Sequence, residues 1–302
     1  MRVFILSCLA YAKGNEDLRN LSRTFSDGGA QCEIVPWQNL DVGSLDEDSL
    51  ILPLATWDYS LDVAKFLSFL SELEKSGAKI INGAEIVRWN LSKKYLLELE
   101  ALGLPVIPST LLNGDENIEE LRRICPSGVI KPLVGQSGNG VAKIDEISNL
   151  SEYKNGALLQ PFIEEITVSG EICLIFLGGV FSHAVRRSPA SEDYRANSNF
   201  GVKISSVEPT AAFLNVARDV LARLAFNPVY ARIDLIGAKD KILINEVELI
   251  EPSLYFSYGK NSTEKFVKVI LDKFSYFGFP KLALIKPKTT GFGFVRRLVN
   301  SG

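Results

Sequence analysis

The chain has 302 residues, with 33 Lys and Arg against 36 Asp and Glu and a net charge of −3. That length can bury a large core divided over two or three subdomains. Near-balanced charge excludes bulk nucleic-acid binding through a basic surface, and no apolar stretch approaches the ~20 residues of a membrane-spanning helix.

In chain order, residues 2–8 (RVFILSC) form a buried-strand candidate. The start MRVFILSCLAYAKGN reads as that strand and not as a signal peptide, so a cytoplasmic protein is expected. A helical stretch near 15–27 and a strand near 31–36 follow, then a short strand at 50–54. A helix with apolar positions 63, 66, 67, 70 and 73 stops at Gly77 and leads to a strand at 79–81. Alternating strands and helices predict an open α/β layer, whose ligands gather off the carboxyl ends of the strands. Trp57, Asp58 and Tyr59 stand at such an end, as substrate contacts or as an aromatic cap on the core. The four cysteines, Cys8, Cys32, Cys125 and Cys173, are scattered without a CxxC pair, which predicts reduced thiols.

A helix is expected from Ser92, its N-cap, to Gly103. Lys93 and Lys94 at its start are disfavoured by the helix dipole, and facing a phosphate would explain them. Residues 128–144 put two strands around a glycine-rich loop. Gly135, Gly138 and Gly140 there allow positive φ and let backbone N–H groups approach a phosphate. Lys131, borne on the strand before that loop, can reach the same phosphates, although the loop lacks the Lys-Ser/Thr of a P-loop. Residues 158–165 give a strand broken by Pro161. Two more strands meet at Gly178-Gly179, followed by His183, expected to be structural, and by Arg186, Arg187 and Arg195. Such arginines hold carboxylate or phosphate bidentately, or form a solvated basic ribbon. A helix over 209–225, a final amphipathic helix over 261–276 and an aperiodic tail from 281 complete the chain.

The segment 228–252, PVYARIDLIGAKDKILINEVELIEP, predicts a hairpin turning near Gly237–Asp240. Alternation puts Arg232 and Asp234 on one face of the first strand, and Glu246 and Glu248 on one face of the return strand. If the polar faces coincide, three carboxylates crowd a small patch, a set of oxygen ligands suited to Mg²⁺. A solvated acidic face is the alternative.

Five motifs resemble the ATP-grasp superfamily, in the order that family has them. They are the Asn-x-x-Lys helix start at 90–93, K-P-x-x-G-x-S-G-x-G-V from Lys131, the strand around Gln160, A-R-I-D, and N-E-V-E. The resemblance is to ligases of the glutathione synthetase and D-alanine–D-alanine ligase type. The segment F-S-H-A-V-x-R-x-P with D-Y-R is most similar to the D-cycloserine-ligase-like group, which tends to have Lys where Arg187 stands. The resemblance implies an ATP-grasp fold, α/β and α+β, behind an N-terminal Rossmann-like domain. The divisions expected are 1–88, a lid subdomain 89–165, a metal-binding subdomain 166–280 and a tail 281–302. It implies ATP bound by Lys93, Lys131, the loop residues Gly135, Gln136, Ser137, Gly138 and Gly140, and the hinge residues Gln160 and Phe162. Glu165 would bind the ribose. Asp234, Glu246 and Glu248 would hold Mg²⁺, or Mn²⁺ in its place. Arg232 would face the reacting centre, with Arg187 or Arg195 on a substrate carboxylate or phosphate.

The implied activity is ATP-dependent joining of a small amino-acid-like carboxylate to an amine or related nucleophile through an acyl phosphate. A homodimer is left open, and neither nucleic acid nor membrane is an expected partner. A non-catalytic ATP-binding protein of the same fold and an intramolecular ring-closing ligase are the alternatives.

Overall fold

The computed structural model describes residues 1–190, 193–196 and 200–275. The tail expected from 281, and the last residue of the 261–276 helix, lie outside the described residues.

The first layer is a parallel sheet. Strands β1 (Arg2–Ser7), β2 (Gln31–Pro36), β3 (Ser49–Leu52) and β4 (Lys79–Ile80) run in the order β2-β1-β3-β4. Every pairing between them is parallel. Helix α1 (Glu16–Asp27) starts where Asn15 accepts from the Leu18 amide at 3.0 Å, and it buries Leu18, Leu21 and Phe25 at helical spacing. Helix α2 (Val63–Ser76) is capped by Asp62 and ends at Gly77, whose φ of +82° only glycine adopts without strain. Each large apolar side chain fully buried in this way contributes about 1.5–3 kcal/mol.

Two helices follow where the sequence predicted one. Helix α3 (Ala84–Asn90) was not expected. Helix α4 (Tyr95–Ala101) begins at Lys94 and not at Ser92. The cause is tertiary: the Lys93 amide bonds the Leu133 carbonyl at 2.7 Å, which holds this turn outside the helix. Strands β5 (Thr110–Leu112), β6 (Gly128–Pro132), β7 (Ala142–Lys143) and β8 (Ala157–Pro161) form an antiparallel sheet in the order β5-β8-β6-β7.

The third sheet orders β9 (Glu171–Leu177), β10 (Val180–Ser188), β11 (Lys203–Ser206), β12 (Tyr230–Ala238) and β13 (Lys241–Glu248) as β11-β10-β9-β12-β13. The outer edge of β13 needs partners for its exposed backbone groups. Asn90 supplies both, donating to Val247 O at 2.8 Å and accepting from Leu249 N at 2.7 Å. The Tyr95 hydroxyl accepts from Val247 N. Farther along, Val106 bridges to Ile244. Asn82 closes the base of the hairpin, bonding Tyr230 and Leu249 carbonyls and the Val229 and Tyr230 amides. The last helix, Ser262–Ser275, packs back on α1, so Phe266 and Ile270 share one core with Val3 and Cys173.

His183 is structural, as expected: its Nε2 lies 3.0 and 2.9 Å from the Leu254 and Tyr255 carbonyls. All four cysteines are free. Among the described residues no helix is long and apolar enough to cross a membrane.

Candidate active site

The hairpin puts the polar faces together. Arg232 is opposite Glu248, and Asp234 is opposite Glu246. One ligand oxygen from each of Asp234, Glu246 and Glu248 lies within 4.8 Å of the others, so the three can share a cation. A bulge follows Asp234, because Leu235 pairs with Ile244 and leaves Asn245 extra. Asn245 consequently reaches two groups at once, accepting from Lys131 Nζ at 2.8 Å and donating to Glu171 Oε2 at 2.9 Å.

Cations surround the carboxylates. Arg232 forks onto Asp234 at 2.9 Å and also bonds Glu248. Arg187, buried, bonds Glu171 and reaches Asp234 Oδ2 at 3.1 Å. Lys93 pairs with Glu246 and donates to Gly135 O. Burial opposes the charge on Glu246, but Lys93 and Lys131 outweigh it and hold the carboxyl below its ordinary range. For Asp234, burial is likewise overcome by Arg232 and Arg187. Burial pushes Glu248 up to about 7 despite Arg232, and pushes Lys131 down to about 8. A second trio, Glu171, Cys173 and Asp234, is fully buried, and its two carboxylates are already engaged by Arg187.

One cleft of about 820 Å³ opens between β6, β8 and the hairpin. Val129, Phe162, Ile163 and Ile236 give it apolar walls, and Lys93 and Lys131 converge in it. Gln160 is 1 % exposed; its Nε2 donates to Ser109 Oγ, while its Oε1 is buried without a partner. An unmatched acceptor in an apolar slot, with two lysines nearby, fits a nucleotide with an amino-bearing base and phosphates.

The loop 135–139 lines this cleft. Positive φ falls on Ser137, Gly138 and Gly140, at 58°, 73° and 70°, and not on Gly135 as the glycine pattern suggested. Gly140 lies outside the lining and acts by close packing: a Cβ there would meet Pro132 Cγ at 2.7 Å. The Gln136 side chain bonds Trp57 O and Ser60 Oγ, tying the loop to the parallel-sheet layer. Glu165 is not among the lining residues. It starts the helix Glu165–Ser169 and accepts from the Lys239 amide at 3.2 Å. Arg195 lines the cleft, with its guanidinium forked onto Asp193 and stacked 3.5 Å from the Phe200 ring centroid.

A second cleft, of about 1060 Å³, adjoins the first. Gln136, Ser137 and Arg187 line both. Its other walls include Trp57, Asp58, Arg232, Glu248 and Glu251. Cys8, just beyond β1, also lines it, as expected for ligands off the carboxyl ends of a parallel sheet. The Trp57–Tyr59 cluster therefore divides. Trp57 and Asp58 line the cleft, whereas Tyr59 is buried against Phe66.

Comparison with known proteins bears on the fold and the family. The family model described as the prokaryotic glutathione synthetase ATP-grasp domain matches residues 97–254, just over half of the chain. The model of the D-cycloserine synthetase DcsG N-terminal domain matches residues 3–82. Cycloserine biosynthesis protein DcsG of Streptomyces lavendulae is 25 % identical over 272 residues, covering 81 % of this chain and 89 % of that protein. A crystal structure of D-cycloserine synthetase DcsG superposes with a TM-score of 0.78 at 22 % identity, covering 90 % of this chain and 99 % of its own. D-alanine–D-alanine ligase from Bacillus anthracis superposes with a TM-score of 0.63 at 15 % identity, covering 92 % and 98 %.

Proposed function

The chain belongs to the ATP-grasp family, and we propose from that premise that it joins the carboxylate of a small amino-acid-like substrate to an amine, forming a carbon–nitrogen bond. The observation that carries this reading is the register of Arg232 against Glu248 and Asp234 against Glu246, with Glu246 lining the first cleft and Arg232 and Glu248 the second.

ATP occupies the first cleft, with its base between the apolar walls and its phosphates toward Lys93 and Lys131. Asp234, Glu246 and Glu248 hold Mg²⁺, or Mn²⁺ in its place; the bound ion neutralises phosphate charge. A substrate carboxylate oxygen attacks the γ-phosphorus, the bond to the β-bridging oxygen breaks, and ADP leaves. The amine then attacks the acyl carbon, phosphate departs and the amine's proton is released. Little proton transfer is needed, so the residues act by positioning and charge neutralisation. Arg232 stabilises the tetrahedral oxyanion. Arg187, lining both clefts, faces the transferred phosphoryl group. Residues 1–88, 89–165 and 166–280 serve this reading as the substrate layer, the lid and the metal-binding half of a cytoplasmic enzyme.

The match of residues 3–82 to the DcsG N-terminal model favours a second reading, ring closure within one substrate, because that layer carries Trp57 and Asp58. Product mass separates the two.

ADP release is the test, measured with Mg-ATP over a panel of amino acids. Wild type should release ADP with at least one of them, and Glu246→Gln should abolish turnover while remaining folded. Full activity in Glu246→Gln would remove the metal assignment.

A further inference from the structure

We propose that Glu251 anchors an ammonium group of the substrate in the second cleft, an inference that rests on the ligase reading above. Glu251 follows β13, is 8 % exposed and lines the cleft. Its backbone is fixed, since its carbonyl accepts from Trp57 Nε1 at 2.9 Å. Its carboxylate has no hydrogen bond or ion pair among the described residues.

The other charged side chains of that cleft are already matched. Asp58 accepts from Trp37 Nε1 and Gln38 Nε2, both at 2.6 Å. Arg187 is paired with Glu171 and Asp234, and Arg232 with Asp234 and Glu248. Glu251 is largely buried, so its carboxylate meets little solvent where it lines the cleft, and a ligand cation offsets that poor solvation.

The surroundings select the kind of cation. Glu251 belongs to neither of the side-chain groups whose ligand atoms converge tightly enough for a metal ion. A single carboxylate suits a primary ammonium, which needs few oxygen partners and is favoured near aromatic faces. Trp57 and Tyr11, their rings 5.2 Å apart, line the same cleft, as does Tyr255. An ammonium held in this pair stays protonated and is not the nucleophile. The attacking amine is then a different group, and Glu251 sets specificity for a substrate carrying an extra amino function.

The test is calorimetric titration of amino acids, in both enantiomers, and of their α-hydroxy-acid counterparts into the full chain saturated with Mg-AMPPNP. At least one amino acid should bind, and its hydroxy acid should bind about 10-fold or more weakly. Glu251→Gln should weaken the amino acid by about 10- to 100-fold and leave Mg-AMPPNP affinity unchanged, which also verifies the fold. Equal binding of amino and hydroxy acids, wild-type affinity in Glu251→Gln, or no binding of any amino acid would overturn the proposal. Absence of Mg-AMPPNP binding to wild type would instead overturn the ligase reading, and this inference with it.

Discussion

Lys131 Nζ donates to Asn245 Oδ1 at 2.8 Å, and this bond joins the β5–β8 sheet to the β12–β13 hairpin. Asn245 is neutral, so it orients the lysine without supplying the charge that a carboxylate would. Burial therefore dominates and brings Lys131 down to about 8.

In the free protein Lys131 loses its proton as the pH rises through about 8. Phosphate oxygens favour the charged form, so a bound nucleotide raises the lysine's pKa. AMPPNP binding should accordingly take up as much as one proton just above pH 8, and affinity should fall as the pH climbs further. Calorimetry in buffers of different ionisation enthalpy measures the uptake. Lys131→Met should lose it; an unchanged uptake in that variant would assign the proton elsewhere.

Asn82 makes four buried backbone bonds at the base of the hairpin, to residues 229, 230 and 249. Asn82→Ala strands those groups and should cost roughly 2–4 kcal/mol of stability. Urea denaturation with an unchanged m-value would report it. A loss below ~1 kcal/mol would mean that water replaces the amide without penalty.

Local chemistry made much of this architecture legible. Period-two alternation placed Arg232 and Asp234 against Glu246 and Glu248, because a tight turn leaves the strands little choice of register. The parallel layer was readable from strand–helix alternation, and Lys93 and Lys131 from their places beside a helix start and a glycine loop. Distant contacts decided the rest. Glu171 joins the site only because β9 pairs with β12, and Asn245 only because of a bulge after Asp234. Ser92 lost the helix start to a bond between Lys93 and Leu133. Glu165 carries the charge expected near a ribose, yet its helix turns it toward Lys239. Glu251 stood in the motif E-L-I-E-P, but its place in the cleft wall, without a side-chain partner among the described residues, is visible only in the folded chain.

The most direct measurement is calorimetric titration of AMPPNP into wild type, Lys131→Ala and Glu246→Gln, each with Mg²⁺ and with EDTA. The hairpin carboxylates and the two lysines together should make binding to wild type depend on Mg²⁺, and each substitution should weaken it about 10-fold or more. Binding that is equally tight in EDTA, or untouched by either substitution, would contradict the assignment of a Mg-ATP site to this hairpin.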